Sequence, residues 1–376
     1  LLPADEVLDF SWKLLAQPAS VMDTRAILVS RNLKRDRSLD ERSSDTTMQR
    51  GNQALEFEKP IYELEAQIEE IQKQGNEVEH SDELRELRRQ LVQTTKEIYA
   101  NLTPWETVRV SRHPNRPQTA DYVPIIFDEF VELHGDRRFG DDHAMLTGFA
   151  KLGGTKIMFV GHQKGRNVKE RTDCYFGCAH PEGYRKALLK IQMAAKYGIP
   201  VVCFIDTPGA YPGVGAEERG QSQAIAENMF EMSRIPTPIV CVVIGEGGSG
   251  GALGIGVGDR VAMLENSYYS VISPEGCAGI LWKSHEFKEQ AAKALRFRSD
   301  DLQRLGVVDE VIPEPLGGAH RDHHQMAANI KRFVQNALRE LSPKSPNELL
   351  DDRYDRFRKI GVFLESTTGA TTETTD

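Results

Sequence analysis

A chain of 376 residues has room for two or three domains and a sizeable core, and its 39% hydrophobic and 27% charged residues exclude wholesale disorder or a fibrous repeat. The 47 Lys and Arg against 56 Asp and Glu leave a net charge of −9, the wrong sign for a protein whose main work is neutralising nucleic-acid phosphates. No apolar run approaches the roughly 20 residues that cross a bilayer as a helix, so neither a membrane nor a nucleic acid is an expected partner.

Residues 1–55 read as an N-terminal extension, partly disordered, because Arg31 to Arg50 is dense in Arg, Asp, Ser and Thr and offers little surface to bury. Asp5, Glu6 and Asp9 near its start argue against a secretory signal. Residues 56–110 predict a helical hairpin arm. Phe57, Ile61, Leu64, Ile68 and Ile71, then Leu84, Leu87, Leu91, Ile98 and Leu102, recur at three- and four-residue spacing on either side of a joint at Gly75-Asn76. The polar faces carry no unusual cluster, which points to a packing arm or a subunit contact.

The main domain is expected over 111–342. After the connector His113-Pro114-Asn115-Arg116-Pro117 comes a helix-like stretch at Ile125–Leu133, then strand candidates at Met145–Leu152, Lys156–Gly161, Ile199–Ile205, Ile239–Ile244, Val261–Leu264 and Tyr268–Ile272. Helices are expected at Pro181–Tyr197 and Ala216–Arg234. The alternation predicts an α/β domain with buried, partly parallel strands. Residues 343–376 form a C-terminal segment with a disordered Thr-rich tail.

Two glycine-rich loops follow consecutive strands: Asp206-Thr207-Pro208-Gly209-Ala210-Tyr211-Pro212-Gly213-Val214-Gly215 and Gly245-Glu246-Gly247-Gly248-Ser249-Gly250-Gly251-Ala252. Open α/β sheets bind ligands at such strand exits. Glycine there lets backbone approach a ligand and aim N–H groups at a phosphate or a transient oxyanion. A phosphate-binding P-loop fails because Gly250 is followed by Gly251-Ala252 and not by Lys. Gly245–Gly250 formally satisfies G-x-G-x-x-G, with Glu265 twenty residues on, but that leaves the first loop unexplained. Ser249 does not meet the nucleophile-elbow spacing.

Cys174, Cys178, Cys203, Cys241 and Cys277 are few and odd in number, which fits reduced thiols in a cytosol-like compartment. Cys174 and Cys178, with His180 and His162 nearby, lack zinc spacing and read as structural thiols, so no metal is expected on this chain. His320, His323 and His324 read as a solvated loop and helix start. Lys164, Arg166, Lys169 and Arg171 read by default as a solvated basic face, with contact to an anionic substrate as the alternative.

The stretches Gly161–Arg166 (GHQKGR), Phe204–Gly220 (FIDTPGAYPGVGAEERG), Ile244–Ala252 (IGEGGSGGA), Ser273–Trp282 (SPEGCAGILW) and Ile312–His320 (IPEPLGGAH) closely resemble the α subunits of the bacterial and plastid-type acetyl-CoA carboxylase carboxyltransferase. The resemblance runs from about Phe57 past His320. Residues 1–50 fall outside it, and Arg171–His180 (RTDCYFGCAH) departs from the family's pattern.

The resemblance implies a crotonase-like (ClpP/crotonase) spiral of βα units and a reaction that moves a carboxyl group from carboxybiotin, held on a separate carrier protein, to acetyl-CoA, giving malonyl-CoA for fatty-acid synthesis. It implies a zinc-bearing β subunit in an α2β2 heterotetramer, a biotin carboxyl carrier protein and a biotin carboxylase as partners, and a location in the cytoplasm or plastid stroma. Gly250 and Gly251 are then expected to form the oxyanion hole for biotin's ureido oxygen. Gly247, Gly248 and Ser249 shape the turn, and Gly209 and Ala210 line the biotin side. On this view Gly251→Val should stop transfer and largely spare the fold. Two rivals are a stand-alone acyl-CoA hydratase or isomerase of the same fold, using Glu217 or Glu275 as acid or base, and a non-catalytic scaffold subunit.

Overall fold

The computed structural model describes residues 55–73 and 80–361; the extension, the Gly75-Asn76 joint and the Thr-rich tail lie outside them. Helices α1 (Lys59–Lys73), α2 (Ser81–Ala100), α3 (Pro104–Ser111) and α4 (Thr119–Ile126) precede strands β1 (Glu129–Glu132), β2 (Met145–Leu152) and β3 (Thr155–His162). Next come α5 (Val168–Asp173), α6 (Pro181–Lys196), β4 (Val201–Thr207), α7 (Val214–Glu218), α8 (Gln221–Met232), β5 (Ile239–Gly248) and α9 (Ser249–Leu253). The remainder is β6 (Arg260–Leu264), β7 (Tyr268–Ser270), α10 (Pro274–Trp282), α11 (Lys288–Leu295), α12 (Ser299–Arg304), β8 (Glu310–Ile312), α13 (His323–Leu341) and α14 (Pro346–Arg358).

The strands form one sheet in the order β1-β2-β3-β4-β5-β6-β8, with β7 added to the far end of β5. β1, β2 and β3 are antiparallel, and the run from β3 to β8 is parallel. β4 and β5 are buried along their whole length. Burial on both faces is why they read as continuous apolar runs. Val202, Phe204, Val240, Val242, Ile244, Ala262 and Leu264 pack on one face against Tyr122 and Ile126 of α4 and Met326, Ile330, Phe333 and Val334 of α13. The apolar stripe of α13 repeats every three or four residues, and Asp322 caps its start by accepting from the Gln325 N–H at 2.8 Å.

The stretch expected as helix at Ile125–Leu133 divides: α4 ends at Ile126, Phe127 is extended, and Glu129–Glu132 pairs with β2 as an edge strand. The helix expected over Ala216–Arg234 is two helices, broken at Arg219-Gly220, where Gly220 takes φ +81. β8 was not anticipated at all. β5 runs four residues past the expected Ile244, carrying Gly245–Gly248 into the sheet.

Two buried ion pairs tie distant segments to the sheet. Arg116 donates to Glu314, with Nη2–Oε1 at 2.5 Å, and to the Ile244 carbonyl at 2.9 Å. On α14, Arg353, 1% exposed, grips both oxygens of Asp259 at 2.8 Å and donates to the carbonyls of Met232, Ile235 and Thr237.

Candidate active site

The carboxyl ends of β3, β4 and β5 converge, and a register irregularity shapes them. Ile205 pairs with Val243, but Thr207 pairs with Gly247, so one residue on β4 faces three on β5. Bulges of this kind re-aim side chains beside functional sites. Asp206 and Glu246 are the charged residues inside the irregular stretch. Asp206 Oδ1 accepts the Glu246 N–H at 2.9 Å, and a β-carbon on Gly245 would lie 2.5 Å from the same oxygen.

The two glycine loops then pack backbone to backbone. A β-carbon built on Gly248 would sit 2.1 Å from the Pro208 carbonyl oxygen, and one on Gly251 would sit 2.6 Å from both Ala210 N and the Gly209 carbonyl carbon. Glycine at these two positions is what allows the approach. Gly247 is buried against the Tyr269 ring. Ser249 makes the strand-to-helix turn in the left-handed region at φ 52. Gly209, Ala210 and Gly250 are half-buried; a β-carbon on Gly209 meets nothing within 4 Å, and one on Gly250 first meets Ile225 at 3.8 Å. The seven candidate residues therefore come together. As first-turn residues of α9, Gly250 and Gly251 present N–H groups without an intrahelical partner.

Gly251 differs from expectation in one respect. It is not among the residues with positive φ, and its constraint is contact with the neighbouring backbone, so Gly251→Val would push on the Gly209-Ala210 segment and would not leave the local fold intact.

Behind the loops lies a charged cluster that sequence reasoning missed. Glu246 accepts from Lys164 Nζ and Arg112 Nε at 2.6 Å each and from the Tyr268 hydroxyl at 2.7 Å. Burial pushes its carboxyl up, and the Lys164 and Arg112 charges outweigh this, holding it down at about 2. Lys164 Nζ also lies 2.6 Å from Asp206 Oδ1. Burial disfavours its charge, but the two acids prevail and raise its pKa. Lys164 is thus not part of a solvated basic face, although Arg166, which pairs with Asp121, is exposed. The available signal was Glu246 itself, an acid at the end of a buried apolar strand that needs a counterion. Of the two carboxylates considered as acid or base, Glu217 is exposed on α7, and Glu275 is bonded to Arg112 Nη1 at 2.5 Å.

The divergent segment Arg171–His180 flanks the first loop. Tyr175 and Phe176 take φ 47 and 56, and the Tyr175 ring sits 4.0 Å from His180, which stacks on Tyr211 at 4.1 Å. The Cys174 thiol is buried, and burial with the nearby Asp142 pushes it up to about 12.

His320, expected in solvent, has its side chain buried. Its Nε2 is 3.3 Å from Glu58 Oε1, its ring stacks on His113 at 3.9 Å, and Glu58 also accepts from Tyr99 at 2.7 Å. The arm therefore does carry an unusual cluster on its polar face. Asn115 N–H donates to His113 Nδ1, so the proton of neutral His113 is on Nε2. With rings stacked and that nitrogen protonated, the trio works as a latch between arm and body.

The sequence profile of the acetyl co-enzyme A carboxylase carboxyltransferase-like family matches residues 54–361. The chain is 64% identical over 312 residues to the acetyl-coenzyme A carboxylase carboxyl transferase subunit alpha of Rhodopirellula baltica, covering 83% of this chain and 98% of that protein. It is 54% identical over 316 residues to the protein of the same name from Methylococcus capsulatus, covering 84% and 98%. Among solved structures, the transcarboxylase 12S core with methylmalonyl-coenzyme A and methylmalonic acid bound shares the fold, with a TM-score of 0.50 and 21% identity across 61% of this chain and 42% of that one.

Proposed function

We propose a residue-level account of catalysis from one premise: the chain belongs to the acetyl-CoA carboxylase carboxyltransferase family, as an alpha subunit with a crotonase-like fold. It is one half of a biotin-dependent transferase that carboxylates acetyl-CoA to malonyl-CoA, the first committed step of fatty-acid biosynthesis. The observation that carries the account is the backbone contact between the two glycine loops, beside open space at Gly209. With no side chain on Gly209, a ligand can come close to the peptide groups there.

Carboxybiotin, when bound, would supply the carboxyl group, and its loss would leave negative charge on the ureido oxygen. The Gly250 and Gly251 N–H groups are the donors we assign to that oxygen. Preorganised donors of this kind, shielded from water, typically contribute about 3–4 kcal/mol each. Gly209 and Ala210 line the face toward biotin. Gly247, Gly248 and Ser249 hold the turn so that the donors need not reorganise. No side-chain base from this chain is assigned, since Glu217 points to solvent and Glu275 is held by Arg112.

We assign acetyl-CoA mainly to a β subunit of the same fold bearing a zinc ribbon, in an α2β2 assembly. A biotin carboxyl carrier protein delivers the biotin and a biotin carboxylase reloads it, in the cytoplasm or plastid stroma. Among the described residues no helix is long and apolar enough to cross a membrane. The test is reconstitution: the purified chain, with and without the β subunit, is given carboxylated carrier and acetyl-CoA. Malonyl-CoA is expected only with both subunits, and robust formation by the α chain alone would overturn the divided site.

A further inference from the structure

We propose that Lys164 is a positioning residue for carboxyl transfer: its ammonium, bonded to Asp206 at the exit of β4 and to Glu246 near the exit of β5, sets the spacing of the two glycine loops. The inference rests on the carboxyltransferase function above and concerns a residue that touches no reacting atom.

Lys164 lies two residues beyond the end of β3, so its side chain reaches across the strand exits. Its Nζ is 2.6 Å from Asp206 Oδ1 and 2.6 Å from Glu246 Oε2. Each acid stands directly ahead of a loop: Asp206 precedes Thr207-Pro208-Gly209, and Glu246 precedes Gly247-Gly248. The acids are already in contact, since Asp206 Oδ1 also accepts the Glu246 N–H. Without the ammonium, Glu246 keeps Arg112 and Tyr268, whereas Asp206 keeps that one backbone donor among the bonds of its carboxylate. Two facing carboxylates then repel across the gap, and the repulsion acts on the two strand ends that carry the loops.

The loops have little slack to absorb this, because Gly248 and Gly251 already lie against the Pro208–Ala210 backbone. The lysine is confined as well. A β-carbon on Gly177, at φ +86, would lie 2.7 Å from Lys164 Cγ and 3.2 Å from the Asp206 carbonyl oxygen, so the divergent loop closes over the stem. A compact ammonium with rotatable donors fits between two carboxylates there, while the planar guanidinium fork of arginine is wider and directional.

The assembled α–β complex tests this with Lys164→Met, Lys164→Arg and the charge-balanced double variant Lys164→Met/Asp206→Asn. Lys164→Met is expected to lower kcat about 100-fold, the usual cost of a roughly 1 Å misplacement, with KM for acetyl-CoA within about twofold. Lys164→Arg should restore only part of the rate. The double variant relieves the repulsion and should recover the thermal midpoint, but it restores no bridge between the two strand ends and should leave kcat low, whereas a purely structural lysine would let rate and midpoint recover together. Amide hydrogen exchange supplies a readout independent of turnover: exchange across 207–211 and 247–252 should quicken in Lys164→Met and in the double variant. Unchanged exchange in both loops, or near-normal kcat in assembled Lys164→Met, overturns the clamp. A wild-type complex that makes no malonyl-CoA would instead refute the function, and the exchange comparison would still decide the clamp.

Discussion

Alanine at Gly251 and alanine at Gly250 differ by a single position, yet the structure gives them opposite consequences. The new methyl at Gly251 would lie 2.6 Å from Ala210 N and from the Gly209 carbonyl carbon, and 3.0 Å from Gly209 Cα. Heavy atoms of this kind pack at about 3.5–4.0 Å, so the first loop must retreat by about 1 Å. Overpacking of this order costs about 1–3 kcal/mol of stability. A displacement of about 1 Å at a site that aligns reacting groups costs about 100-fold in rate, close to 2.7 kcal/mol. At Gly250 the methyl meets only Ile225, at 3.8 Å, an ordinary contact. Alanine in a helix also gains up to about 1 kcal/mol over glycine. Gly250→Ala should therefore hold or raise the thermal midpoint, and any rate loss it shows reports crowding of the ligand and not disruption of the loop. The assay is malonyl-CoA turnover per assembled complex, with the thermal midpoint measured on the same sample. Full turnover and an unshifted midpoint for Gly251→Ala would refute the claim that the two loops are fixed by backbone contact.

Two further outcomes concern stability. Arg353→Met strands the Asp259 carboxylate in a buried site and should cost about 3–5 kcal/mol in denaturant unfolding; Arg353→Met/Asp259→Asn should recover much of that loss. Acid should loosen the arm latch. Burial, then the neighbouring His320, lowers the His113 pKa from 6.5 to about 3, so the unfolded chain takes up a proton that the folded chain refuses, and this stability is full above pH 6.5 and lost as pH falls toward 3. Glu58 is pushed up by burial but held down at about 2 by His320 and Tyr99, so its share is present above about pH 4.5 and lost below it. Urea midpoints should fall from pH 6.5 downward with a slope of at most about 1.4 kcal/mol per pH unit from His113. His113→Gln should flatten the slope between pH 6.5 and 4.5, and an unchanged slope would sink this account.

The parallel core was legible because strands buried on both faces leave uninterrupted apolar runs such as Val201–Ile205. The edge strand Glu129–Glu132 was not, since its two apolar residues continue the spacing of α4 and only tertiary pairing with β2 decides the matter. The helix over Ala216–Arg234 was expected to run unbroken through Gly220, and only the structure shows the positive φ that divides it. The glycine loops could be located from sequence because backbone approach demands glycine. Which glycine has room for a methyl and which lies against backbone could not, because Gly250 and Gly251 are identical until the Gly209 loop is placed against one of them. Lys164 was hidden in a run with Arg166, Lys169 and Arg171, where even spacing of charge imitates a wetted surface. Its true partners, Asp206 and Glu246, lie 42 and 82 residues away along the chain.

The grip of Arg353 on Asp259 also bears on how the protein is made. Every residue of both glycine loops leaves the ribosome well before residue 353, but the joint between β5 and β6 holds an uncompensated acid until that arginine arrives. A body that ends before α14 therefore carries the same buried, unpaired carboxylate as Arg353→Met, at the amino end of β5 beside Ile239.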